Sequence, residues 1–430
     1  MKRLKAINVN HIFRLFWIII IASFIIWCIF LVNNPQGYQL NLFFDRMHNF
    51  LADATNVTEM IRYMNPYFGE AKGSYPPLAY LLFYPLMRMS AIPEAIYSHG
   101  ATYYLHYHQP SWLLLYTLCV LILILILYAI TIKQFVDYPC FDAVMMGGAL
   151  CFSYPMLYTL ERGNILIASV VATSIFVFYS ESSCKWKKEI SLLSLAFAIG
   201  LKVTPAVFII LLICNRDWKA VFRIICYSIL FIIGPFSFFE HGIYNLPQMF
   251  SNMNMFLSGY VGGANVAGTG LVASYLKFAK ILFGEEYRFG FATYLLLMIL
   301  KYELSLFLIL AVFQFTEKWK IVLNLTLVLL IFPKVSIFYC VLYMIPFTVL
   351  YLNYLKNEPK MSMENLYIIF CLLMFYFVYR CPISNFLDYN FAIPCLTFFS
   401  IRYSLKAFII SKQILPPHLF FSKKIKEQSK

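Results

Sequence analysis

Four carboxylates stand close together near the start of the chain, in the stretch NNPQGYQLNLFFDRMHNFLADATNVTEMIRYMNPYFGEAKGSYPPLAY. They are Asp45, Asp53, Glu59 and Glu70, and they directly follow the first long apolar run. Asp45 lies between Phe43-Phe44 and Met47, in a segment with the pattern of an amphipathic helix lying on a membrane surface. A carboxylate held beside apolar surface loses part of its water shell and gains proton affinity, which suits a general base. Asp53 follows eight residues later, about two helical turns, so a continuous helix would put both acids on one face. Solvated loop acids are the ordinary alternative.

Three further groups carry cations or turn residues between apolar runs. Glu161-Arg162-Gly163-Asn164 places charge between two such runs, where it is costly unless it faces a cavity or a partner. Arg162 has the fork that binds a phosphate through two hydrogen bonds, or it and Glu161 form a pair at a helix end. Lys202 stands in Gly200-Leu201-Lys202-Val203-Thr204-Pro205, and Lys334 in Phe332-Pro333-Lys334-Val335-Ser336. A lysine at membrane depth needs a counter-charge, such as a lipid-linked phosphate; otherwise its stem lies along apolar surface and its head snorkels to water. Tyr75-Pro76-Pro77-Leu78 reads first as a helix start, since prolines suit the first turn.

The elements that must position these residues are membrane helices. Of 430 residues 61% are hydrophobic and only 13% charged, against roughly 25% charged in soluble domains. Apolar runs fall near 11–31, 77–95, 110–132, 140–160, 164–181, 189–214, 220–239, 291–315, 321–353, 363–380 and 388–410. The longest of them cross a hydrocarbon core about 30 Å thick. Spanning segments in lipid must satisfy their own backbone, so the fold class is all-α: a polytopic bundle with about 10–12 crossings, residues 1–430 forming one membrane domain. The net charge of +14 does not indicate nucleic acid. Its cations gather between runs: Lys2, Arg3, Lys5; Lys185, Lys187, Lys188; Arg216, Lys219, Arg223; Lys318, Lys320; Lys356, Lys360; and Lys423, Lys424, Lys426. That pattern assigns these clusters to the cytoplasmic side of a cell membrane.

Topology then follows from parity. Two polar stretches, 32–76 and 240–290, fall on the extracytoplasmic side as large loops, and the C-terminal spans occupy 291–410. The 321–353 run makes two passes meeting at Pro333-Lys334. The 189–214 run is either one span or two half-length helices meeting at Lys202-Val203-Thr204-Pro205, where proline opposes a continuous helix. The Gly/Asn-rich 240–290 loop has no phosphate-binding fingerprint, and is either a lid over a sugar site or a flexible linker. Eleven scattered cysteines and seven histidines show no metal-ligand spacing, so no metal or other cofactor is indicated.

In this order the pieces resemble the GT-C superfamily of membrane glycosyltransferases. Within it they resemble the bacterial polyprenol-phosphate-mannose-dependent alpha-mannosyltransferases. The resemblance rests on Asp45, Asn65-Pro66-Tyr67, Tyr75-Pro76-Pro77-Leu78, Arg162-Gly163-Asn164, Leu201-Lys202-Val203-Thr204-Pro205, and Ser336 with Tyr339, and covers roughly residues 10–350. It implies a GT-C bundle working at its extracytoplasmic face. It implies an inverting transfer of a hexose such as mannose from a polyprenyl-phosphate donor to a glycan or glycolipid acceptor. Asp45 would be the base, with Asp53, Tyr75, Arg162, Asn164, Lys202, Lys334 and Tyr339 around the substrates. The chain departs from many relatives in having Tyr339 where they have His, and Arg162 where they have Gln. A flippase or transporter of lipid-linked glycans is a competing reading, but no internal repeat is visible. A polysaccharide polymerase is another; paired outer-loop arginines are expected there, and 240–290 holds only Arg288.

Overall fold

A computed structural model describes residues 9–33, 51–61, 64–68, 72–89, 110–262, 275, 279–280, 282–284, 290–332, 338–358, 361–378 and 389–414. Every regular element among them is helical. The chain opens with α1 (Val9–Asn33), followed by two short helices, α2 (Ala52–Ile61) and α3 (Pro77–Arg88). Next come α4 (Pro110–Ile132), α5 (Cys140–Cys151), α6 (Tyr154–Arg162), α7 (Leu166–Tyr179) and α8 (Lys185–Leu201). A 3₁₀ turn, Thr204–Ile209, leads into α9 (Ile210–Cys214), and then come α10 (Trp218–Ile233) and α11 (Leu246–Gly262). The last group is α12 (Phe291–Ala311), α13 (Lys318–Ile331), α14 (Met344–Lys356), α15 (Met363–Tyr376) and α16 (Tyr389–Ile414).

Among the described residues five helical segments are by themselves long and apolar enough to cross a membrane: Val9–Ile29, Ser111–Ile132, Trp218–Phe238, Ala292–Gln314 and Phe391–Ile409. Together α5 and α6 make a sixth, bent by 43°. The bend falls at Phe152-Ser153, just ahead of Pro155, whose missing N–H suits the first turn of a new helix. The other apolar helices are shorter and pack inside: α13 is buried along Ile321–Ile331, and α14 along most of its length.

Two faces emerge from contacts between helix ends. On one, Lys356 Nζ donates to Asn10 at 2.6 Å and Arg14 pairs with Asp142 at 2.9 Å, joining the start of α1, the start of α5 and the end of α14. Lys318 pairs with Glu181 at 3.0 Å, and the Trp319 ring lies 5.0 Å from that of Tyr354. Lys188 pairs with Asp217 and Arg223 with Glu189. The basic clusters around Lys188, Arg223, Lys318 and Lys356 therefore share a single face, as the charge pattern requires. Trp319 against Tyr351 and Tyr354 also shows that α13 leaves this face and α14 returns to it, so 321–353 is indeed two passes.

The 189–214 question is decided the same way. Lys188 and Asp217 touch at 2.5 Å although they stand 29 positions apart, on either side of the apolar run. The segment is a hairpin: α8 runs away from the basic face and the Thr204–Cys214 leg comes back. Its tip is Lys202, in extended conformation at φ −151°, ψ 125°. Pro205 explains the break, since a proline there cannot donate to the Leu201 carbonyl that a continuing helix would present. With this hairpin the described helices pass between the two faces about twelve times.

Two expectations change. The 77–95 run yields α3, a 12-residue helix rising about 18 Å, which is too short to cross alone. And α2 begins only at Ala52, because Leu51 has φ 56°, a left-handed conformation that interrupts any helix arriving from Asp45. Asp53 is therefore not on a continuous helix with Asp45, which itself lies outside the described residues.

Candidate functional site

Opposite the basic face, four of the sequence candidates converge. Asp53, in the first turn of α2, accepts from Arg162 Nη2 at 2.8 Å through one carboxylate oxygen. Through the other it accepts from Asn164 Nδ2 at 2.7 Å. The same Asn164 nitrogen reaches the Tyr75 hydroxyl at 3.5 Å. Side-chain exposure is 14% for Asp53 and 23% for Arg162, so the pair is largely sheltered from water. Charge-assisted hydrogen bonds in such a place are stronger than neutral ones.

The local sequence builds this cluster with little freedom. At the end of α6, Gly163 takes φ 66° and closes the helix with its N–H on Leu160 and Thr159 carbonyls, a left-handed cap that glycine favours. A Cβ there would stand 2.8 Å from the Ala54 Cβ and 3.2 Å from the Leu51 Cα, so glycine is also what lets α2 approach. The Leu51 N–H donates to the Glu161 carbonyl at 2.6 Å and fixes the register of the two segments. Asn164 Oδ1 accepts the Leu166 N–H at 2.9 Å and so starts α7 while its amide serves Asp53.

Tyr75 is held from three sides. Its N–H donates to the Tyr80 hydroxyl at 3.2 Å, its carbonyl accepts from the Tyr67 hydroxyl at 3.1 Å, and its ring meets that of Tyr80 edge-on. Burial, together with the nearby Asp53 charge, pushes the Tyr75 phenol above its ordinary value. It is therefore a neutral hydroxyl that can donate to a sugar or phosphate oxygen. Gly73 makes the turn before it possible: a Cβ would overlap the Tyr80 hydroxyl at 2.2 Å and the Pro66 carbonyl at 2.5 Å.

Lys202 joins this face through its neighbour. Leu201 packs in one apolar cluster with Leu78, Ala79, Tyr75 and Ile165, which sets the hairpin tip beside the Tyr75 turn and the start of α7. Just past the tip, Tyr343 hydrogen-bonds Ser169 at 2.8 Å and Thr204, tying α7, the hairpin and the start of α14 together. The backbone at Tyr339 forms part of the Phe338–Tyr343 turn that precedes α14. Lys334 and Ser336 lie outside the described residues, as does Asp45. Among the described residues no group of three metal-ligating side chains occurs.

A model described as Glycosyltransferase family 87 matches residues 74–336, more than half of the chain. The chain belongs to that family. This family 87 glycosyltransferase finds no match among curated proteins or solved structures. The matched region starts one residue before Tyr75 and takes in Arg162, Asn164, Lys202 and Lys334, leaving Asp45 and Asp53 upstream of it and Tyr339 just beyond its end.

Several residues of this glycosyltransferase were not singled out from sequence. Asn252 is buried and its amide donates to the Tyr67 carbonyl at 2.8 Å and the Gly73 carbonyl at 3.0 Å. It ties α11 to the turn that carries Tyr75. Nothing in its Met/Asn-rich neighbourhood marks it in advance. Lys301 is buried midway along α12, its ammonium 4.6 Å from the Tyr302 ring centre and 5.9 Å from that of Phe332. A single lysine within an apolar run is a legible signal, because a charge at membrane depth is rarely idle.

Proposed function

We propose that this family 87 enzyme transfers a hexose such as mannose from a polyprenyl-phosphate donor to a glycan or glycolipid acceptor. The transfer inverts the anomeric centre and takes place at the extracytoplasmic face of a cell membrane. The observation that carries the reading is the convergence of Asp53, Arg162, Asn164 and Tyr75 at the face opposite the basic clusters. Basic clusters face the cytoplasm in membrane proteins, which makes the opposite face the extracytoplasmic one. A lipid-borne donor reaches such a site laterally, so no nucleotide-binding domain is needed.

In this reaction an acceptor hydroxyl attacks the anomeric carbon while the bond from that carbon to the phosphate oxygen breaks. The bonding pair leaves with the polyprenyl phosphate, and the hydroxyl proton passes to a carboxylate. Charge grows on the leaving phosphate, and fixed cations and hydroxyls nearby stabilise it. Arg162 and Lys202 are the cations assigned to that role, with Lys334 from the neighbouring break, and Tyr75 and Tyr339 supply hydroxyl donors. Asp53 already accepts from Arg162 and Asn164 through both oxygens, which suits it to hold the Arg162 fork in place. Asp45 is the base in this scheme.

One observation favours a second reading, in which Asp53 is the base: it is the carboxylate whose surroundings are a site. The test is direct. Purified enzyme in lipid vesicles is given labelled polyprenyl-phosphate mannose and candidate acceptors, as wild type, Asp45→Asn and Asp53→Asn. Loss of transfer in Asp45→Asn with donor binding retained supports the first assignment. Full activity there, with loss in Asp53→Asn, moves the base to Asp53. Absence of sugar transfer from any polyprenyl-phosphate hexose overturns the donor class.

A further inference from the structure

The basic face carries a feature that sugar transfer does not use. Between the starts of α8 and α10 lies a cavity of about 620 Å³ lined by Lys185, Trp186, Lys188, Glu189 and Arg223. Two of its cations are neutralised within the protein: Lys188 by Asp217, and Arg223 by Glu189, which also accepts from the Tyr227 hydroxyl. Lys185 has no hydrogen bond or ion pair among the described residues, and neither does Lys219, one turn before Arg223 on α10. The cavity therefore has walls set by internal ion pairs and a rim of unmatched positive charge.

Helix polarity adds to that imbalance. Lys185, Lys187 and Lys188 occupy the first turn of α8 and Lys219 the first turn of α10, and neither turn contains an acidic residue. The first turn is the positive end of a helix, where a cation is unfavourable and an anion welcome. Asp217 caps the start of α10 by accepting the Ala220 N–H at 3.1 Å, so the uncompensated helix end is that of α8, whose first turn holds three lysines and makes the rim positive.

What surrounds the rim decides which anion fits. Trp186 is 79% exposed, Trp218 59% and Phe222 68%, all at the membrane end of the same two helices. Tryptophans at that level of a membrane protein sit among lipid headgroups, with the ring toward the acyl chains and the N–H toward water. An apolar collar at the edge of a cationic cavity matches a molecule with a phosphate at one end and hydrocarbon at the other.

We propose that this cavity is a binding site for an anionic membrane phospholipid. The headgroup phosphate sits between Lys185 and Lys219, and the acyl chains pass along Trp186, Trp218 and Phe222. Lys188–Asp217 and Arg223–Glu189 shape the walls and are not themselves the ligands. Each lysine near a membrane surface contributes appreciable attraction to anionic lipid, so losing two together weakens binding by about tenfold or more.

The experiment uses the full chain purified in neutral detergent. Phosphatidylglycerol, phosphatidylcholine and inorganic phosphate are titrated separately while the thermal transition is followed. Phosphatidylglycerol should raise the transition with a saturable midpoint; the other two should not. In Lys185→Gln/Lys219→Gln that midpoint should move about tenfold higher, and Lys185→Arg/Lys219→Arg should restore it. Lys133, exposed on the same face, is the control for general attraction between basic loops and anionic lipid. An equal loss in Lys133→Gln overturns the proposal, because the effect is then charge alone and not this cavity. A double Gln variant with an unchanged midpoint overturns it too. A response to inorganic phosphate equal to that to phosphatidylglycerol overturns the lipid assignment and leaves a free-anion site.

Discussion

The two faces of the bundle are both fastened by charged contacts, yet they are built differently. On the basic face the fasteners are many, separate and partly wet: Lys188–Asp217, Arg223–Glu189, Lys318–Glu181, Arg14–Asp142 and Arg402–Glu364. Each joins two separate helices or their flanking turns, and losing one leaves the others in place. On the opposite face the contacts converge on single residues. Asp53 accepts from both Arg162 and Asn164, and Asn252 donates to two carbonyls of the Tyr75 turn. Exposed pairs are worth about 0–1 kcal/mol each. A sheltered carboxylate with two charge-assisted bonds is worth more, and its loss is not shared out. Redundancy marks the face that sets topology; convergence marks the face that has to hold a geometry.

The largest effect that sharpens this contrast is expected from Gly163→Val. The substitution puts a branched side chain at φ 66° and 2.8 Å or less from the Ala54 Cβ, so α2 must move off α6. A displacement of about 1 Å at a reacting centre costs on the order of 100-fold in rate. Transfer should fall by at least that much while the protein still inserts and purifies as a single species. Wild-type rates in this variant would break the claim that the Asp53 cluster belongs to the active site.

Arg162→Ala ranks next. It leaves Asp53 with one donor in a sheltered place, at a cost of about 2 kcal/mol. In a double-mutant cycle with Asp53→Ala, the two losses should be clearly less than additive in thermal stability. Additive losses would mean the 2.8 Å pair is not formed in solution.

Asn252→Ala should cost about 1–2 kcal/mol, because the Tyr67 and Gly73 carbonyls lose a buried donor. Its sharper readout is kinetic. Since Asn252 supports the Tyr75 turn without being assigned to the substrates, Asn252→Ala should lower kcat together with stability. Asn252→Gln should not rescue it, the amide being displaced by one methylene. A variant of normal activity and lowered stability would separate the α11 anchor from the site.

How far these contrasts could be seen in the sequence depends on the kind of residue. The helical membrane class followed from composition and run length alone. The break at Pro205 was legible because proline acts through its own backbone, and the hairpin at Lys202 bears this out; Pro333 lies outside the described residues. Arg162 and Asn164 were found as polar residues between apolar runs, and Tyr75 only through the family resemblance. Their common partner Asp53 was named, but for a reason the fold removes: helical spacing from Asp45, which Leu51 at φ 56° interrupts. Asn252 was missed because its role is to satisfy backbone carbonyls 179 and 185 residues away, and a long-range amide leaves no local pattern. The exposure of Trp186 and Trp218 was equally hidden, since a tryptophan near a helix start reads the same whether it faces lipid or core.

The smallest effect belongs to the basic face and tests its redundancy. Lys188→Gln removes one ion pair of several, so at neutral pH it should lower stability by no more than about 1 kcal/mol. Its pH dependence is the sharper measure. The hydrogen bond from Lys188, with the Ala220 N–H and the charges of Lys188 and Arg223 adding to it, holds the Asp217 carboxyl below its ordinary value. A carboxyl depressed on folding stabilises the protein above its unfolded pKa of about 3.9, and that contribution is lost as pH falls through the lower folded value. The gap between wild type and Lys188→Gln should therefore be constant from neutral pH down to about 5 and shrink below about 4. A gap of several kcal/mol at neutral pH, or one that widens in acid, would show that this pair is a convergent anchor like Asp53, and the difference between the two faces would have to be drawn elsewhere.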